Sequence, residues 1–139
     1  MKLTRCTAQK TSLETFYNEL YESYKGAPLG ESALAYLDVI AELRNHPATY
    51  EVWGLTSHHR LILLAEDDYE SLWYVICEIH SMPRYENWKH HDLVYHVSFE
   101  LPEVTSPWSR GTILGIASSL EEAVQLIILA MKESKGWEN

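Results

Sequence analysis

Two segments, each with an apolar row at alternate positions, constrain this chain more than anything else in it. In Leu72–His80 the residues Trp73, Val75, Cys77 and Ile79 share one row, and in Leu93–Leu101 the residues Leu93, Tyr95, Val97, Phe99 and Leu101 share another. Successive side chains of a strand point to opposite faces, so each segment reads as a strand with one buried row. Bringing both rows into one core pairs the strands antiparallel, with Ile79 opposite Leu93 and Cys77 opposite Tyr95. A one-residue slip would turn an apolar row to water, so the pairing is expected to be well specified.

The flanking sequence supplies helices and further strands. Thr11-Ser-Leu-Glu14 and Ser12-Leu-Glu-Thr15 open a helix, the first in the form of a capping box with Thr11 at the N-cap. Leu13, Phe16, Tyr17, Leu20 and Tyr24 follow at helical spacing, and Gly26 with Pro28 stops the run. A second helix is expected from about Glu31 to Arg44, with Leu34, Leu37, Ile40 and Ala41 inward and Asn45-His46-Pro47 ending it. Tyr50–Thr56 and Arg60–Ala65 flank Ser57-His58-His59 and read as a hairpin, and Glu66–Glu70 is an acidic turn. The loop 102–110 leads to a strand over Gly111–Ala117. Ser118 or Ser119 then caps a last helix with Leu120, Ala123, Val124, Ile127, Ile128 and Met131 at helical period. Leu126, Leu129 and Ala130 widen its stripe, so it is expected between the sheet and another helix, or at a subunit contact.

The order α-α-β-β-β-β-β-α implies an α+β fold: an antiparallel sheet of about five strands, a meander, with an N-terminal αα-hairpin and a C-terminal helix packed on it. Parallel pairing is not expected, because no crossover helix separates the strands. The 139 residues suit a single domain, 1–139, in which residues 1–10 are a strand or a flexible arm.

Charge and aromatic content narrow the function classes. The net charge is −9, and the aromatic residues are nine Tyr and five Trp against two Phe. Tyr and Trp join an apolar ring to a polar tip and serve half-wet surfaces. The acidic balance disfavours nucleic-acid backbones and anionic membranes as partners and favours a basic protein. No apolar segment reads as a signal or a bilayer span, and two cysteines without a C-x-x-C spacing read as reduced thiols, so a cytoplasmic location is expected.

The sequence holds no phosphate-binding loop, dinucleotide fingerprint or serine elbow, and no cofactor is expected. Seven histidines raise the question of a metal. The predicted pairing places Glu78, His80, His96 and Glu100 on the non-core face, with His80 opposite Asp92, His96 opposite Ile76 and Glu78 diagonal to His96. Glu78, His80 and His96 are therefore the candidates for a metal or acid/base site, against the plainer reading of a solvated sheet face.

Two regions are candidates for partner binding. The connection Ser81–Asp92 is long for neighbouring strands and carries Arg84, Tyr85, Trp88, His90 and His91, with Arg, Tyr and Trp the types that dominate binding hot spots. Trp108, with Pro107 and Arg110, reads the same way in the opposite loop. The second region is acidic: Glu14 and Glu22 on the first helix, Glu31, Asp38 and Glu42 on the second, and Asp67 and Asp68 nearby. Together these describe a small protein that occludes a basic partner, such as a bacterial immunity protein paired with a nuclease-type toxin domain. The rivals are a homodimeric scaffold subunit using the apolar last helix, the chain being a monomer or a homodimer, and a small metal-dependent enzyme centred on Glu78, His80 and His96.

Overall fold

The computed structural model describes residues 1–84, 87–101 and 111–137, and of residues 83, 84 and 87–91 the backbone alone. The elements run β1 (Lys2–Arg5), α1 (Leu13–Ser23), α2 (Pro28–Asn45), β2 (Glu51–Ser57), β3 (Arg60–Leu64), β4 (Tyr74–Arg84), β5 (Asn87–Glu100), β6 (Thr112–Ala117) and α3 (Leu120–Ser134). The fold is α+β with one six-stranded mixed sheet in the order β1-β2-β3-β4-β5-β6.

The antiparallel meander holds for β2 to β6, but the expected five strands are six and one pairing is parallel. Residues 2–5 form a strand beside β2, with Lys2 opposite Glu51 and Arg5 opposite Gly54 in parallel register. The αα-hairpin is itself the crossover that a parallel pair requires, which the argument against parallel pairing overlooked.

Local chemistry explains the helix boundaries. The N-cap of α1 is Ser12 rather than Thr11: its Oγ accepts the Thr15 N–H at 3.0 Å, while the Thr11 carbonyl accepts from Arg5 Nε at 2.8 Å. Pro28, expected to stop α1, opens α2, where its fixed φ suits the first turn and a missing N–H costs nothing. α2 buries Tyr36, Val39, Ile40 and Leu43, whereas Leu34 is exposed and Ala41 lies outward. Contacts with α1, α3 and the sheet together rotate its buried arc away from the single stripe read in the sequence. Ser119 caps α3, its Oγ accepting the Glu122 N–H at 3.2 Å.

All three helices cover one face of the sheet. A Cβ on Gly54 would come within 2.6 Å of Leu13 Cδ1 in α1, and one on Gly115 within 3.0 Å of Leu126 Cδ1 in α3. These two glycines lie in the same side-chain layer as Leu61, Cys77 and Val97, and their missing side chains let the helices close down. Leu3, Val52, Leu61, Leu63, Val75, Cys77, Ile79, Tyr95, Val97 and Phe99 fill the core from the sheet side, with Tyr17, Tyr36, Val39, Ile127 and Met131 from the helices.

The β4–β5 register differs from the expected one by two residues: Ile79 faces Tyr95 and Cys77 faces Val97. A slip of two preserves the face of every side chain, so alternation cannot detect it. The strands run on to Arg84 and from Asn87, with a shift of register between Pro83 and Arg84. The β2–β3 turn is a two-residue hairpin in which His58 (φ 50°) and His59 (φ 68°) are both left-handed. That geometry matches the sheet twist, and here two histidines adopt it in place of Asn-Gly.

Candidate partner-binding surface

The middle of the sheet face opposite the helices is mainly apolar, and no described helix lies over it. Leu55, Ile62, Ile76, Ser98 and Leu114 stand side by side across five strands, with Trp53, Leu64 and Tyr74 in the adjoining row. The segment between β3 and β4 borders this floor and closes a cleft of about 420 Å³. Tyr69 and Leu72 stand at its rim, 64% and 62% exposed. Glu70 and Glu100 also line the cleft, and Arg60 is the one cation among its described lining residues. Glu78 and His96 lie in the next row, facing one another. The surface is therefore an apolar floor with a predominantly acidic margin, half-wet in the manner of an interface.

Hydrogen bonds hold the rim in place. Ser71 Oγ donates to the Trp73 carbonyl at 3.1 Å and accepts the Trp73 N–H at 3.3 Å, and the Ser71 N–H donates to the Asp68 carbonyl at 2.9 Å. The Glu70 N–H donates to Asp68 Oδ1 and the Thr7 N–H to Asp67 Oδ1, each at 2.9 Å. The Thr7 amide holds the Asp67 carboxyl below its usual range. Asp67 and Asp68, read as partner-binding acids, thus have a role inside the fold while remaining exposed.

The acids of the helices divide in the same way. Glu14 pairs with Arg44 at 2.8 Å, Glu22 approaches Lys25 at 3.9 Å, and Glu31 accepts from Ser81 Oγ at 2.7 Å. Asp38 and Glu42 are exposed on α2. These groups lie on the helix layer, away from the open face of the sheet, so the molecule carries two acidic surfaces rather than one.

Glu78, His80 and His96 do come together. Glu78 is directly opposite His96 instead of diagonal to it, and His80 is opposite Val94 instead of Asp92, both consequences of the two-residue shift. His80 Nε2 lies 3.3 Å from Glu78 Oε1, and the two imidazole centroids are 5.2 Å apart. Among the described residues no group of three such side chains is arranged to hold a metal ion. The cysteines offer no nucleophile: both are buried, burial pushes the Cys77 thiol up to about 12, and burial raises that of Cys6.

The twelve-residue connection expected over Ser81–Asp92 is mostly strand. β3 pairs with β4 only up to Cys77, and β6 pairs with β5 only from Tyr95 onward. Beyond those points β4 and β5 continue as a two-stranded ribbon, with Ser81 opposite Leu93, Met82 opposite Asp92 and Pro83 opposite His91. The register shifts between Pro83 and Arg84, a bulge suited to a residue without an N–H. At the base of the ribbon, where β3 has ended, the Ile79 N–H donates to the Tyr36 hydroxyl at 2.9 Å. Arg84, Trp88, His90 and His91 belong to this ribbon by their backbones. Tyr85 lies outside the described residues, as do Pro107, Trp108 and Arg110.

The open floor escaped the sequence reading, although a signal for it exists. Leu61–Leu64 and Trp73–Ile76 are continuous apolar runs, which mark strands apolar on both faces, while helices are available to cover only one. α3 does not present its main stripe to a partner: Ile127 is fully buried against the chain's own core, between the sheet and α2. A dimer contact through Ile127 is thereby excluded. No family model, curated protein or solved structure matches the chain.

Proposed function

We propose that this chain is an acidic binding protein that neutralises a basic protein by occlusion, in the manner of an immunity protein against a nuclease-type toxin. The observation that carries the reading is the sheet face that no described helix covers: an apolar floor of Leu55, Ile62 and Ile76 bordered by Glu70, Glu78 and Glu100. A macromolecular partner desolvates such a floor, and the acidic margin attracts cationic side chains around it. Asp38 and Glu42 on the helix layer add to the long-range field that draws a basic molecule in. The β4–β5 ribbon extends past the rest of the sheet and supplies a second contact region, through Arg84, Trp88, His90 and His91.

The test is affinity capture from the native cell, followed by reconstitution of the captured protein with the purified chain. The expected partner has a basic isoelectric point and loses its activity at a one-to-one ratio. Its affinity should fall more than about tenfold between about 50 mM and about 500 mM NaCl. An acidic partner, or binding indifferent to salt, would remove the electrostatic part of the proposal. A complex in which the partner keeps full activity would remove occlusion.

A further inference from the structure

The two longest stretches of this sequence without Asp, Glu, Lys or Arg are residues 111–120 and 123–131. The fold puts them in the same place: the first contains β6, the terminal strand of the sheet, and the second forms most of α3 beside it. Ile113, Leu114 and Ile116 on β6 are 41%, 55% and 64% exposed, and Leu129 on α3 is 47% exposed. Among the described residues no strand pairs with the outer edge of β6. A bare strand edge without a charge or a proline is a template for another strand, and natural sheets usually guard such edges. The opposite edge is guarded: β1 carries Lys2 and Arg5, with Lys2 held to Glu51 at 2.8 Å.

We infer that the outer edge of β6 pairs antiparallel with β6 of a second copy, forming a twofold dimer with one continuous sheet. The occupant follows from charge. A copy of a chain with net charge −9 meets this one at least electrostatic cost along the uncharged β6 and the middle of α3, whose Glu121, Glu122, Lys132 and Glu133 lie towards the helix ends. Symmetry agrees with it. In a twofold antiparallel pair, opposed residues must share a face, so the axis passes through a residue and its own counterpart. An axis at Gly115 sets Leu114 against Ile116 of the second copy on the open face. On the helix face it sets Ile113 against Ala117 of the second copy. The cleft of about 240 Å³ lined by Ile113, Leu126 and Leu129, with Glu133 also in its lining, then adjoins its symmetry mate, so mainly apolar surface meets mainly apolar surface. Both sets of helices fall on one side of the joined sheet, and the two partner-binding floors become continuous on the other. The dimer does not depend on the proposed function, because the basic partner uses the floor and the second copy uses the edge.

Sedimentation velocity of the purified full chain over a range of concentrations tests this, with Ile116→Lys and Leu114→Glu as variants. Both positions are more than half exposed, so neither substitution empties the core. The wild type should sediment at twice 16.1 kDa, and each variant should weaken the dimer by about tenfold or more. An equimolar mixture of the two variants should regain the dimer, because the introduced ammonium and carboxylate then face each other across the axis. Added salt should tighten self-association by screening the repulsion, the opposite of its effect on a basic partner. A wild type that stays monomeric at about 100 µM overturns the proposal, because that is far above the Kd of a specific dimer. So does a dimer indifferent to both substitutions, or one that the mixture does not restore.

Discussion

Replacing Tyr17 by alanine should lower the free energy of unfolding by about 4 kcal/mol, measured by urea denaturation. Tyr17 is fully buried at the meeting point of α1, α2 and the β2–β3 turn. Its ring stacks on Tyr36 at 4.6 Å between centroids and meets Phe16 edge-on at 5.0 Å. Its hydroxyl donates to the His59 carbonyl at 2.9 Å, which ties α1 to a turn whose two central residues are left-handed. Truncation leaves a large cavity and cuts that tie. Tyr17→Phe keeps the ring, and the His59 carbonyl lies at an exposed turn where water can replace the hydroxyl, so a loss of only about 1 kcal/mol is expected. A Tyr17→Ala loss below about 1.5 kcal/mol would mean that the site collapses around the gap.

The same two tyrosines predict an alkaline limit to stability. Burial raises the phenol of Tyr17 far above its ordinary value, and burial raises that of Tyr36 as well. In the unfolded chain each ionises near pH 10, while in the folded chain each stays neutral. Above that pH the unfolded state binds fewer protons than the native state, so stability declines as pH rises, by up to about 1.4 kcal/mol per pH unit for each tyrosine. Below pH 10 these two groups leave stability unchanged. Tyr17→Phe should reduce the slope by one group's share, and an unaltered slope would contradict the assignment.

Ile76→Lys should weaken the complex with the basic partner by about a hundredfold or more, equivalent to about 2.7 kcal/mol. Ile76 lies in the middle of the open floor, between Ile62 on β3 and Ser98 on β5. It is only partly buried, so a lysine can lay its methylenes along the floor and keep its ammonium in water with little effect on folding. Against a basic partner that ammonium is the wrong sign at the centre of contact. Glu42→Lys on the exposed side of α2 should slow association by a few-fold at low salt and leave dissociation unchanged. Isothermal calorimetry and stopped-flow kinetics on the reconstituted pair separate the two effects. If Glu42→Lys costs more than Ile76→Lys, the partner docks on the helix layer and the floor has another use.

Much of this architecture was legible in the sequence, and the failures have definite physical causes. Alternation correctly assigned the core rows of β4 and β5, from Val75 to Ile79 and from Tyr95 to Phe99. It placed Ile79 two residues away from its true neighbour because a period of two carries no information about even shifts. Helical periodicity located α1, α2 and α3. It misplaced the buried arc of α2, because Leu34 and Ala41 are set by three neighbours at once. Residues 2–5 are too short to show a pattern, and only their partner at Glu51–Gly54 makes them a strand. Glu78, His80 and His96 stay neighbours even on a shifted register, since all three keep one face under a slip of two. The floor of Leu55, Ile62 and Ile76 was missed because an apolar strand residue declares its burial preference, not whether a helix exists to cover it.

The parallel pairing of β1 with β2 has a consequence for the order of events during synthesis. Residues 2–5 leave the ribosome before both helices, yet the strand they pair with among the described residues lies at 51–54, beyond those helices. Until that segment emerges, the opening strand has nothing to bond with. α1 and α2, whose contacts are local, can assemble in the meantime and shorten the loop that must close. A strand made before both helices in this way waits until after them to be stitched into the sheet.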